Sequence, residues 1–189
     1  MPTLVAYASR YGASRGIAER VAAKLTDAGQ QVELRSVKDA GDPAGYDAFV
    51  IGGATYMGSW LKEARGFVRG NQAMLSTKPV WLFSSGPLGT ATTDSQGRDV
   101  LVASAPKEFA ELGTAVGARD QRVFFGALDR AKLRGAHWLV GKMPAAQKLL
   151  IEGDFRDWEA IDAWAEGIAR ELAAPGGTRP EAGGASAEV

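Results

Sequence analysis

With 189 residues, the chain can form one α/β domain with a sizeable core and is too short for two ordinary domains with linkers. Apolar residues at 46% and charged residues at 23% suit a soluble globular protein, and 22 Lys plus Arg against 22 Asp plus Glu give no global pull toward nucleic acid or an anionic membrane. The absence of cysteine excludes disulfides, thiol relays and cysteine metal sites, and the single histidine, His137, leaves little from which to build a metal centre, so any electrons must travel on a bound cofactor.

Met1-Pro2-Thr3 leads into an apolar run at 4–8 with neither a basic segment nor a long apolar stretch, so a signal peptide and a membrane span are not expected and the cytoplasm is the expected address. The run at 4–8 reads as a first strand. A helix follows, with Ile17, Val21, Leu25 and Ala28 on one face, Ser14 as its expected N-cap and Gly29 placed to end it. A second strand at 32–37 alternates Val32, Glu33, Leu34, Arg35, as a half-exposed edge should. Runs at 48–53 and 80–85 are nearly continuous in apolar residues and suit strands covered on both faces. Between them a helix is expected from about 60 to 71, with Leu61, Ala64, Phe67 and Val68 inward. A third helix starts near Pro106 and carries Phe109 and Leu112, and a fifth strand is expected at 123–127.

Residues 129–152 form a cationic insertion. Arg130, Lys132, Arg134, Lys142 and Lys148 alternate there with Leu133, Trp138, Leu139, Val140 and Leu149, which fits either a segment packed over the sheet edge or a peripheral contact with a membrane or partner. His137 falls in this stretch, outside the expected crevice, and is not nominated as catalytic. The last helix opens after Asp157 with Trp158, Ile161, Trp164, Ile168 and Leu172 at helical spacing, and 174–189 is a Gly-, Ala- and Pro-rich stretch expected to be a disordered tail. One domain at 1–173 is therefore expected, carrying the insertion at 129–152.

Five strands alternating with helices predict an α/β fold: a three-layer, doubly wound, five-stranded parallel sheet of order 2-1-3-4-5, with its ligand crevice at the switch point between strands one and three. The first strand ends directly in Ser9-Arg10-Tyr11-Gly12-Ala13-Ser14 and a helix follows at once, so hydroxyls and free amides converge where a helix dipole favours an anion, with Gly12 allowing close approach. Neither the lysine-dependent P-loop nor the dinucleotide glycine pattern is present, which leaves the phosphate of a mononucleotide. Two more loops belong on the same rim. The third strand ends in Ala54-Thr55-Tyr56-Met57-Gly58-Ser59-Trp60, where Tyr56, Met57 and Trp60 are candidate covers for a flat ring, and the fourth ends in Ser85-Gly86-Pro87-Leu88-Gly89-Thr90.

At these residues the sequence resembles the flavodoxin-like family, whose phosphate loop usually reads hydroxyl-x-hydroxyl-Gly-x-hydroxyl, here with Tyr11 in place of the usual Thr or Ser. The stretch Ile51-Gly52-Gly53-Ala54-Thr55-Tyr56-Met57-Gly58, the run Val123-Phe124-Phe125-Gly126-Ala127-Leu128, the basic insertion and Asp157-Trp158-Glu159 are similar, in that order, to the flavodoxin-type protoporphyrinogen dehydrogenases that pass electrons to menaquinone. The resemblance covers about 3–172 and implies noncovalent FMN. Ser9, Tyr11, Gly12, Ala13 and Ser14 would surround its phosphate, residues 54–58 would lie beside the ring, and residues 85–90 would close the other side. The 85–89 loop departs from that branch, at a place where a large substrate would be sensed. Two functions are carried forward: an FMN-dependent dehydrogenase passing electrons from an organic substrate, with a porphyrinogen as one candidate, to a quinone, and an electron-carrier flavodoxin serving a redox-partner protein. Carriers of this kind are acidic, and the zero formal charge weighs toward the enzyme. No nucleic-acid partner is expected, and the pattern leaves the oligomeric state open.

Overall fold

The structure, a computed structural model, describes residues 2–133 and 151–174. Five parallel strands form its centre: β1 (Pro2–Ala8), β2 (Gln31–Ser36), β3 (Ala48–Tyr56), β5 (Val80–Ser85) and β6 (Asp120–Phe124), in the spatial order β2-β1-β3-β5-β6. This is the expected doubly wound order. A two-residue strand, β4 (Ser59–Trp60), folds back antiparallel on the end of β3 and shifts the numbering by one. The helices are α1 (Ala13–Asp27), α2 (Lys62–Gly70), α3 (Gln72–Leu75), α4 (Val100–Ala103), α5 (Phe109–Val116) and α6 (Trp158–Ala173), and a small antiparallel ribbon pairs β7 (Ala127–Leu128) with β8 (Gly153–Asp154).

The period of two in each central strand divides the core. Leu4, Ala6, Phe49, Ile51 and Leu82 face α2 and α5, while Val5, Val50, Trp81 and Phe83 face α1 and α6. β2, half-exposed along its length, is an edge as its alternation predicts. β6 is the other edge, and its polar start explains the main boundary error: Asp120, Gln121 and Arg122 pair with β5, so the strand lies three residues ahead of the expected 123–127, and Ala127 belongs to the ribbon. The helix expected from 60 begins at Lys62, because Trp60 is taken by the β3–β4 hairpin, and the helix expected near Pro106 begins at Phe109. Asp157 caps α6 by accepting a hydrogen bond from the Ala160 amide at 2.9 Å. Most of the basic insertion, 134–150 with His137 and Trp138, and the expected tail from 175 on lie outside the described residues. Among the described residues no helix is long and apolar enough to cross a membrane.

α1 and α6 lie side by side and are joined by charge. Arg20 donates twice to the Asp162 carboxylate, at 2.6 Å each, and Lys24 adds a contact at 3.1 Å. The Arg20 hydrogen bonds, reinforced by Lys24, hold the Asp162 carboxyl down at about 2. An unfolded Asp titrates at about 3.9, so this pair contributes stability fully above that pH and loses it as pH falls toward the folded value. Thermal unfolding of Asp162→Asn should therefore show a flatter acid limb than the parent between about pH 4 and pH 2. Parallel limbs would mean that the cluster does not act on stability.

Candidate functional site

The crevice lies at the carboxyl ends of β1, β3 and β5, where connections from neighbouring strands depart to opposite faces of the sheet. Its first wall is the β1–α1 junction. Gly12 is the N-cap of α1 at φ +99°, its carbonyl accepts from the Gly16 amide at 2.9 Å, and its own N–H donates to the Ser9 hydroxyl at 3.1 Å. Ser14 is not the cap expected from sequence. It occupies the second position of the helix, buried, with its hydroxyl 2.7 Å from that of Ser85 at the end of β5. That bond fastens the helix start to the end of β5 beside the crevice, and the first-turn amides there have no intrahelical acceptors.

A cavity of about 580 Å³ fills the crevice. Of the residues singled out from sequence, Ser9, Arg10, Tyr11, Ala13, Ser14, Ala54, Thr55, Tyr56, Met57, Ser85, Gly86, Pro87 and Leu88 line it. Gly12 faces a neighbouring, smaller cavity. Gly58, Gly89 and Thr90 line neither: Gly58 sits at φ +74° in the hairpin turn with its carbonyl accepting from the Lys107 amide at 3.0 Å, and Thr90 is exposed. Trp60, a candidate ring cover, faces the core. It is 1% exposed, its indole N–H donates to the Gly53 carbonyl at 3.1 Å and its ring meets Phe109 edge-on at 5.4 Å. The indole fits there because Gly53 has no side chain; a Cβ would lie 2.8 Å from its ring nitrogen.

The aromatic side chains lining the cavity are Tyr56, one of the expected ring covers, and Tyr11; their rings meet edge-on at 6.4 Å, with the Arg10 guanidinium 5.2 Å over the Tyr56 ring. Burial, and after it the neighbouring Tyr11, push the Tyr56 phenol up to about 12, so at neutral pH it is a neutral hydrogen-bond donor. Met57, at the turn with φ +50°, is fully exposed at the mouth.

A fourth wall escaped the sequence reading: Gly126, Ala127, Leu128 and Leu133. It is held by backbone pairing, with Gly86 N–H donating to Phe124 O at 3.0 Å, Gly126 N–H to Pro87 O at 2.9 Å and Phe155 N–H to Gly126 O at 3.0 Å. The Phe-Gly-Ala-Leu run was visible as a motif, but its pairing with β8 was not. The result is a chamber with amides and hydroxyls at one end and apolar walls at the other, which fits a phosphate joined to a flat apolar ring system.

A flavodoxin domain model matches residues 4–145. The chain belongs to the flavodoxin family. Membership implies FMN as cofactor and an electron-transfer role, and the chamber just described fits that group. Among solved structures, the chain is similar to an archaeal flavodoxin at 16% identity and TM-score 0.58, covering 91% of this chain and 99% of that one. It is similar also to flavodoxin 2 from Bacillus cereus at 21% identity and TM-score 0.59, covering 90% and 99%. Rubredoxin oxygen:oxidoreductase from Desulfovibrio gigas matches at 17% identity and TM-score 0.56, covering 92% of this chain and 37% of that larger protein. At these identities the likeness extends to the fold. No curated protein matches the chain significantly.

Proposed function

We propose that this flavodoxin-family protein is an FMN-dependent dehydrogenase that takes hydrogen from an organic substrate of the porphyrinogen type and passes it to a quinone, which leaves as the quinol. The observation that carries this reading is the fourth wall. Leu128 and Leu133 line the cavity together with Leu88 and give it an apolar wall suited to a second, uncharged molecule beside the ring. The balance of 22 basic and 22 acidic residues supports the same reading, since a carrier that docks on basic partners benefits from an acidic surface.

FMN, when bound, supplies the electron and hydride chemistry. The protein supplies binding and orientation. Ser9, Ser14 and the amides at the start of α1 would hold the phosphate, and Tyr11 and Tyr56 would flank the ring. Tyr56 keeps its proton across the physiological range and so donates rather than accepts. Leu88, Leu128 and Leu133 would give the second molecule an apolar wall. No side chain is assigned as a catalytic acid or base. Quinones reside in membranes, and the basic insertion at 129–152 is the proposed peripheral contact, its described ends, 129–133 and 151–152, lying at the cavity rim and the neighbouring ribbon.

The carrier reading has one observation in its favour: the chain covers 99% of flavodoxins made of this domain alone. Anaerobic assays of the flavin-loaded protein separate the two. Quinol formation that depends on an added porphyrinogen is the expected result. Rapid electron exchange with redox proteins, and none from porphyrinogen to any quinone tried, would replace the enzyme with the carrier.

A further inference from the structure

The phosphate loop separates two cavities. The smaller, of about 270 Å³, is lined by Tyr11, Gly12 and Ala13 and by Lys132 and Arg156, each of these two with its carboxylate partner, Asp129 and Asp154, in the same lining; Gly12 opens only into this cavity. Arg156 arrives from the turn between β8 and α6, far from the loop in sequence, and four features fix it there. Its Nε donates to one Asp154 carboxylate oxygen at 2.7 Å and its Nη2 to the other at 2.5 Å. Its guanidinium stacks on the Trp158 ring at 4.4 Å. It lies across the first turn of α1 at Gly16, where any Cβ would collide with Nη1. The side chain is only 16% exposed.

We infer that Arg156 is an additional cofactor-phosphate residue, which supplies to the dianion at the start of α1 a positive charge from outside the loop. The inference rests on FMN being the ligand of the larger cavity. Asp154 takes two of the five guanidinium N–H donors and leaves three for another acceptor, and a planar cation already held on three sides loses little freedom when it meets a phosphate. The Asp154 carboxyl, held below its ordinary range first by its hydrogen bond from Arg156, stays ionised and keeps the guanidinium in place. Lys132, 3.5 Å from Asp129, adds a second, more exposed cation to the same cavity. The competing role is a structural pin that fastens the β7–β8 ribbon to α1, and a flavin without a phosphate separates the two.

Flavin-free protein should be titrated with FMN and with riboflavin, following flavin fluorescence. In Arg156→Gln the FMN dissociation constant should rise about tenfold or more while that for riboflavin stays within about twofold. Arg156→Lys, which keeps the charge and loses the fork, should fall between the parent and Arg156→Gln for FMN, and remains informative should the neutral variant fold poorly. Equal losses for both flavins, or no loss for FMN, would overturn the role. If the parent itself binds riboflavin as tightly as FMN, the phosphate assignment fails with it; if the parent prefers FMN and the variants do too, only Arg156 is dismissed.

Discussion

Gly12→Val should weaken FMN binding by about tenfold to a hundredfold while leaving the fold in place. Gly12 sits at φ +99°, a region that valine enters only at high cost, and it is both the N-cap of α1 and the partner of the Ser9 hydroxyl. A Cβ built there meets nothing within 4 Å, so the effect is not a collision with the protein. The valine instead draws the backbone toward negative φ. That motion turns the Gly12 carbonyl away from the Gly16 amide and re-aims the first-turn N–H groups on which a phosphate depends. Riboflavin, which carries no phosphate, should lose less. Gly12→Ala, unbranched, should lie between valine and the parent for FMN. An FMN affinity within about threefold of the parent would mean that this turn does not set the geometry of the site.

The same loop shows what the sequence disclosed and what it hid. A strand that runs straight into a helix through Ser9, Gly12 and Ser14 is a local pattern, and local patterns fix local geometry, so the part of the cavity at the β1–α1 junction could be located from the sequence. The central strands were equally open to reading, because burial on both faces removes polar residues from them and leaves runs such as Ala48-Phe49-Val50-Ile51. β6 was placed late because an edge strand needs no such purity, and Asp120 and Arg122 at its start look like a turn. Trp60 shows another limit. Its distance along the chain from Tyr56 put it near the ring, but a two-residue hairpin turns it over, and the space beside Gly53 draws it into the core. The wall made by Leu128 and Leu133 depends on Leu128 pairing with Gly153 across the whole basic insertion, a contact no window of neighbouring residues records. Arg156 was hidden for the same reason. Its approach to Gly16 joins opposite ends of the chain, and in sequence it is one arginine among many.

The largest effect on stability is expected at Gly52, two residues short of the site along β3. Gly52 lies in the middle of β3, opposite Phe83 of β5, and a Cβ there would fall within the Phe83 ring. The ring cannot move aside easily. It is fully buried, with Phe124 at 6.4 Å and Trp164 at 6.0 Å, and Trp164 is tied by its indole N–H to Asp120 at 2.9 Å. Gly52→Ala therefore overpacks the face of the sheet under α1 and α6 and should cost about 2–3 kcal/mol, seen as a fall in Tm of about 5–10 °C. Adding Phe83→Leu should return part of that loss, because the two substitutions act on one volume and their effects are not additive. Gly52 is two residues before Ala54 in the cavity wall, so displacing Phe83 and with it β5 would also disturb Ser85 and its bond to Ser14. Saturating FMN should accordingly raise the Tm of Gly52→Ala by less than it raises that of the parent. A variant that melts within about 2 °C of the parent would show that Phe83 has room the packing does not reveal, and that this glycine is not what makes space for its ring.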